Sequence, residues 1–177
     1  AYFLAMSDLT GYSGPIDIFF PVNLRRYLRD GSRVMSNQAT NVAITLERFA
    51  GEGMEEVLPR VIEATNHLKN GRIGIAEQVA MDAACDMAGK SIHAMAEQMA
   101  ALQEKGYADI FISNPGSFTL PSFEGLADAY VCYPGVYMPT TCFVTSPFRG
   151  QMTVTIGYQD SMRAREGTRK ALDLFCS

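Results

Sequence analysis

Residues 16–20, Ile-Asp-Ile-Phe-Phe, are apolar on both faces of an extended chain except at Asp17. A strand with one wet face alternates apolar and polar residues; a continuous apolar run belongs inside a sheet with both faces covered. The strand predicted over residues 16–22 therefore demands a layered domain. A chain of 177 residues is long enough for one such core and short for two. The run continues as Pro21-Val22-Asn23-Leu24-Arg25-Arg26, so an internal strand ends in a pair of arginines. A guanidinium fixed at the rim of a core usually meets a carboxylate.

The remaining patterns fill in the layers. Residues 1–10 read as an amphipathic helix ended by Gly11, with no Ser, Thr, Asp or Asn before it. That uncapped start carries the expectation that the chain was cut from something longer. In the stretch NVAITLERF, Val42, Ile44 and Leu46 alternate with Ala43, Thr45 and Glu47, a second strand. A helix is predicted through GMEEVLPRVIEATNHL, with Met54, Val57, Leu58, Val61, Ile62 and Leu68 as its apolar stripe. A start near Glu55 or Glu56 would make Pro59 tolerable. A long helical pattern runs from Ile73 towards Lys105 through Ala76, Val79, Ala83, Met87, Met95, Met99 and Leu102, with Gly89 as a possible break. The last third is strand-rich: ADIFISN closed by Asn114-Pro115-Gly116, then LADAYVCYPGVYMP, TTCFVTSP and, after the turn FRG, QMTVTIGYQD. In that last strand Met152, Val154, Ile156 and Tyr158 form the apolar face. A final helix spans SMRAREGTRKALDLF. The fold class is α/β, a single domain over residues 1–177 with a mixed sheet covered by helices.

Little in the chain supports self-contained catalysis. There are two histidines: His67 reads as a helix C-terminal residue and His93 as part of a helical face, and neither has a nucleophile beside it. Asp82 and Asp86, i and i+4 with Cys85 between them and Glu77 five residues before Asp82, read as a solvated helix face rather than a metal site. Cys85, Cys132, Cys142 and Cys176 lack metal or redox spacing and read as buried thiols of a reducing, cytoplasmic setting. A net charge of −4 with scattered Lys and Arg disfavours nucleic acid, and no apolar run approaches the ~20 residues of a membrane span.

Three ordered stretches carry a resemblance. IFFPVNLRRYL, followed by a loop in which Ser36-Asn37 precedes a strand, then IFISNPG with Asn114 and Gly116, then the closing strands and helix of QMTVTIGYQDSMRAREGTRKALDLF, together resemble the C-terminal lobe of the chloramphenicol acetyltransferase-like superfamily. This superfamily includes the condensation domains of nonribosomal peptide synthetases. The resemblance covers nearly the whole chain and rests on the order of the stretches.

The resemblance implies one lobe of a two-lobed acyltransferase that moves an acyl group from a coenzyme A or carrier-protein phosphopantetheine thioester to a hydroxyl or amine. The catalytic His-His-x-x-x-Asp-Gly motif is absent from these residues, so the lobe would be silent alone and its partner would be the N-terminal lobe. Arg25 matches the arginine that salt-bridges the motif aspartate of that lobe, with Arg26 as the fallback. Asn114, Ser117, Tyr158 and Asn37 are the implied channel or substrate residues. By its own chemistry Asp160 reads as the N-cap of the last helix, and the Asn114–Ser117 stretch as a self-bonded turn. A carrier protein is a possible further partner. The alternative is a non-catalytic binding or self-assembly module, associating through the exposed lobe interface.

Overall fold

The structure, a computed structural model, describes residues 1–12, 14–30, 33, 35–87, 97, 101, 109–116, 126–132, 140–158 and 162–176. Its five strands are β1 (Ile16–Asn23), β2 (Ala39–Leu46), β3 (Asp109–Ser113), β4 (Thr140–Phe148) and β5 (Gln151–Gly157). They form one sheet in the order β2-β1-β3-β4-β5. β1, β3 and β4 run parallel, while β2 and β5 pair antiparallel at the two edges. Among the described residues the α-helices with set bounds are α1 (Tyr2–Thr10), α2 (Met54–Lys69), α3 (Ile75–Met87) and α4 (Met162–Cys176), which with the sheet make an α/β architecture. Among the described residues no helix is long and apolar enough to cross a membrane.

β1 lies inside the sheet, as its two apolar faces require. Ile16 and Ile18 point to the face that carries Ile44, Leu46, Ile110 and Phe143, and Phe3 and Leu4 of α1, Val57 of α2 and Ala171 of α4 close over it. Asp17, the polar residue of the run, faces the other way, where its carboxylate accepts the Thr45 hydroxyl at 2.6 Å from the opposite register position. Pro21 sits beyond the Ile18–Phe19 stretch that pairs with β3, where a missing N–H costs little. The arginines do not end the strand directly. Asn23 closes β1, and Leu24–Tyr27 form a 3₁₀ turn.

Several apolar patterns fall differently from their sequence reading. α2 begins at Met54, so Pro59 lies in its second turn and leaves the carbonyl of exposed Glu55 to solvent. Its stripe splits: Val57, Val61, Ala64 and Leu68 pack on the core, while Met54, Leu58 and Ile62 are exposed. A helix lying on one sheet face buries one seam, and Leu58 and Ile62 stand one residue round from it. α3 spans Ile75–Met87, and along it Ala76, Ala83 and Val79 (63 % exposed) are not core. Met95, Met99 and Leu102 lie outside the described residues. On β5, Ile156 packs against the core opposite Phe143, but Met152 is 70 % exposed and Val154 and Tyr158 are also open. β5 is an edge strand, with a neighbour on one side only.

The described part of the LADAYVCYPGVYMP stretch, residues 126–132, is not a strand. It crosses the opposite face of the sheet, where hydroxyls replace a ladder. The Val131 N–H donates to Ser146 Oγ (2.9 Å), and Thr155 Oγ1 donates to the Val131 carbonyl (2.7 Å). That face is deeply buried at β4, where Cys142, Val144 and Ser146 are among the least accessible side chains. Burial pushes the Cys142 thiol up to about 11, which keeps it inert near neutral pH. Cys132, expected to be buried, is exposed. The Cys85 and Cys176 side chains lie outside the described set. The β4–β5 hairpin turns through Arg149 (φ 48°) and Gly150 (φ 79°), the left-handed pair of a two-residue turn.

The carboxylate of Glu52, in the loop between β2 and α2, has a side chain only 3 % exposed. It accepts hydrogen bonds from the Phe49 N–H and from the Arg60 guanidinium, with Arg48 3.9 Å away. Arg48 in turn bonds Asp8 of α1 at 3.0 Å, and Asp8 meets Lys170 of α4 at 3.4 Å. Burial alone would raise the Glu52 carboxyl, but the Phe49 N–H, Arg60 and Arg48 reverse this and hold it below the ordinary value of 4.5. Its stabilisation is therefore complete above 4.5 and disappears as the pH falls through the depressed folded-state value. Glu52→Gln is expected to lower the melting temperature by several degrees at pH 7, with the gap to wild type closing below pH 4.5. A thermal-melt series from pH 7 to 3 checks this; a pH-independent gap would show that the charge contributes nothing.

Candidate functional site

Because β1, β3 and β4 are parallel, their carboxyl ends emerge at one edge of the sheet. In sheets with parallel strands, ligands commonly bind in the crevice outside those ends. Arg25 stands there. Its turn is built locally: Asn23 Oδ1 accepts the Arg25 N–H at 3.0 Å, and the Leu28 N–H returns to the Arg25 carbonyl at 3.0 Å. Arg25 is half-buried as a residue, and its guanidinium donates to the Ser36 carbonyl, so the loop before β2 helps to hold the side chain in place. Arg26 is exposed and lies over the ring of Tyr27, 5.4 Å from its centroid. The two arginines thus differ in kind: one is held by the backbone and the other rests on the surface.

The turn is wedged from behind by the α2–α3 connection. Tyr27 donates its hydroxyl to the Ile73 carbonyl at 3.1 Å. Gly74 is buried with φ 88°, and a Cβ there would stand 2.8 Å from Thr40 Cγ2 and 3.1 Å from Leu24 Cδ2. Only glycine takes that backbone conformation and that space without strain.

Asn37 lies at the same edge, just before β2, and its Oδ1 accepts the Ala39 N–H at 3.2 Å. Asn114 leaves β3 there too. Its Oδ1 accepts the Gly116 N–H at 2.9 Å across a turn in which Gly116 has φ 77°. Both asparagines are exposed and both use a carbonyl lone pair on their own turn, as short amides do. What each has to offer a ligand is its amide N–H₂ group. Tyr158 does not join them. It follows β5, which runs antiparallel to β4, and so stands at the opposite edge of the sheet. Ser117, His93 and Asp160 lie outside the described residues.

The remaining titratable candidates have ordinary settings. His67 is exposed in the last turn of α2, where an imidazole complements the carbonyl end of the helix. Asp82 is exposed on α3 and accepts a hydrogen bond from Gln78 at 2.7 Å. Among the described residues, no group of three His, Cys, Asp or Glu side chains is placed to hold a metal ion. The sequence reading missed the Glu52 cluster; its clue was the Arg48-x-x-x-Glu52 spacing in a glycine-bounded loop, followed by Arg60 one helix turn past Glu56. Comparison of the chain with protein-family models, with curated proteins and with solved structures found no match.

Gly74→Ala is expected to destabilise the protein by about 2–3 kcal/mol, through a strained backbone and an over-packed contact with Thr40 and Leu24. Urea unfolding checks it, and a loss below roughly 0.5 kcal/mol would mean the connection moves aside freely.

Proposed function

We propose that the chain is the C-terminal lobe of a chloramphenicol acetyltransferase-like or condensation-domain-like acyltransferase. The observation that carries this reading is Arg25: a half-buried residue on a capped 3₁₀ turn, its guanidinium bonded to the Ser36 carbonyl, at the carboxyl edge of the parallel strands. A charge held in this way suits the orienting of a carboxylate supplied from outside the lobe. That carboxylate is the aspartate of a His-His-x-x-x-Asp-Gly motif on a companion N-terminal lobe. The histidine of the same motif acts as general base: it takes the proton from an acceptor hydroxyl or amine, which attacks the thioester carbonyl. The tetrahedral intermediate collapses, the carbon–sulfur bond breaks, and the thiolate of coenzyme A or phosphopantetheine leaves and takes up the proton. Asn37 and Asn114 border the channel as amide donors, and Ser117 adds a hydroxyl in the same stretch as Asn114. On this reading Tyr158, at the other edge, is separate from the Arg25 site.

A second reading, a non-catalytic assembly module, is favoured by one observation. Leu58 and Ile62 of α2, each 51 % exposed, and Val79 and Met81 of α3 are large apolar side chains open to solvent.

The test is thiol release by the full-length gene product from short-chain acyl-CoA thioesters, with alcohol and amine acceptors. Arg25→Ala is expected to lower kcat/KM by about 100-fold, equivalent to roughly 2.7 kcal/mol of transition-state stabilisation. Arg25→Lys should recover little of it, because an ammonium does not reproduce the bidentate fork. Arg26→Ala and His67→Ala should stay within a factor of three. Equal small losses at Arg25 and Arg26 would remove Arg25 from the site. Absence of thiol release, together with concentration-dependent dimerisation in sedimentation, would replace the enzyme reading with the assembly module.

A further inference from the structure

At the edge of the sheet opposite Arg25, Tyr158 and one side of α4 border a groove of about 660 Å³. Two guanidiniums, Arg165 and Arg169, stand one helical turn apart along its wall. Thr168 borders the same groove, and it is anomalous. It is only 6 % exposed, and its hydroxyl has no hydrogen-bond partner. A threonine inside a helix ordinarily donates to the carbonyl four residues back. Thr65 of α2 does so, bonding the Val61 carbonyl. The Thr168 hydroxyl is a desolvated donor and acceptor with that default unused, and a helical threonine has a second χ1 rotamer through which to turn.

The rest of the lining narrows the class of ligand. Glu166 and Asp173 offset the charge of the two arginines, so the field does not favour a polyphosphate. Among the described residues Arg169, Glu166 and Asp173 are in no ion pair. The Arg169 fork is therefore not neutralised by the acids beside it. Tyr158 (41 % exposed) and Leu172 (42 % exposed) add apolar surface at the groove. One carboxylate can take a bidentate guanidinium and the hydroxyl together, with its apolar body against the ring and the leucine. We propose that this groove binds a small organic carboxylate, with Arg169 and Thr168 holding the carboxylate and Tyr158 and Leu172 contacting the body. The site is separate from the Arg25 edge and does not depend on the acyl-transfer reading.

The test is calorimetric titration of the full-length gene product with sodium benzoate and sodium hexanoate. Benzyl alcohol and inorganic pyrophosphate serve as comparison ligands at matched ionic strength. Saturable one-site binding of benzoate is expected, weakened at least tenfold in Arg169→Gln and unchanged in Arg149→Gln, whose arginine lies in the β4–β5 turn. Thr168→Val carries a signature that a purely structural threonine would not give. It should weaken benzoate several-fold and at the same time raise the melting temperature of the unliganded protein, because the unpaired buried hydroxyl is gone. No benzoate binding, or equal binding in Arg169→Gln, would overturn the site. Benzyl alcohol binding as tightly as benzoate would reduce it to an apolar slot. Tighter binding of pyrophosphate would overturn the carboxylate class, and an unaltered Thr168→Val affinity would remove the hydroxyl from it.

Discussion

The buried carboxylate of Glu52 is the constraint on which the helical layer depends. A charge with a side chain 3 % exposed is tolerable only when its lone pairs are met, and here they are met by the Phe49 N–H and the Arg60 guanidinium. Each partner belongs to a different part of the fold. Arg60 also bonds the Glu47 carbonyl at 2.8 Å and lies 4.4 Å from the centroid of the Phe49 ring. Arg48 bonds the Glu52 carbonyl and carries the network on to Asp8 and Lys170. The loop between β2 and α2 thereby sets where α2 enters the sheet face, and through Arg48 it ties α1 and α4 to the same corner. The apolar core fills the space these contacts define, but apolar burial is non-directional and would accept many helix orientations. The hydrogen-bonded charges select among them.

The same division between apolar filling and directed contacts recurs at the sheet edges. At the carboxyl edge, the Arg25 turn is specified by a capping asparagine, a tyrosine hydroxyl on the Ile73 carbonyl and a glycine that admits Thr40 and Leu24 at close range. One contact of the arginine is to the Ser36 carbonyl, a backbone group whose position follows from the fold. Across the sheet, the 126–132 segment is tied down by two hydroxyls. One of them is Ser146, on the face of β4 that also carries buried Cys142 and Val144.

The two edges carry different chemistry because strand direction separates them. Three parallel strands send Arg25 and Asn114 to one side, and the antiparallel return of β5 takes Tyr158 and the start of α4 to the other. Residues 114 and 158 belong to the same strand-rich third of the sequence, yet they stand at opposite ends of the strands in this topology. The proposed acyl-transfer channel at the first edge and the proposed carboxylate groove at the second are compatible on one scaffold, since fold alone does not dictate which site is used.

The sequence by itself determined many of the local states, though not the irregular path of residues 126–132 or the 3₁₀ turn at Arg25. It specified β1 as internal, because a run apolar on both faces has no other stable place. It also specified the β2 alternation, the FRG turn, helices in GMEEVLPRVIEATNHL and SMRAREGTRKALDLF and the self-bonded turn at Asn114. Each follows from residues within a few positions of one another, where periodicity and turn chemistry act. Only the tertiary structure decided which apolar residues are core. Leu58, Ile62, Val79, Met152 and Val154 satisfy the local pattern and are nonetheless exposed. Whether an apolar face meets a neighbour depends on strand order, on which edge a strand occupies and on how far a helix reaches along the sheet. The same holds for the charges. Nothing within ten residues of Asp8 announces Arg48 or Lys170, and nothing near Thr168 shows that its hydroxyl stays unpaired. Those facts arise when segments far apart in the chain are brought into contact, and long-range packing is the physics that local sequence does not carry.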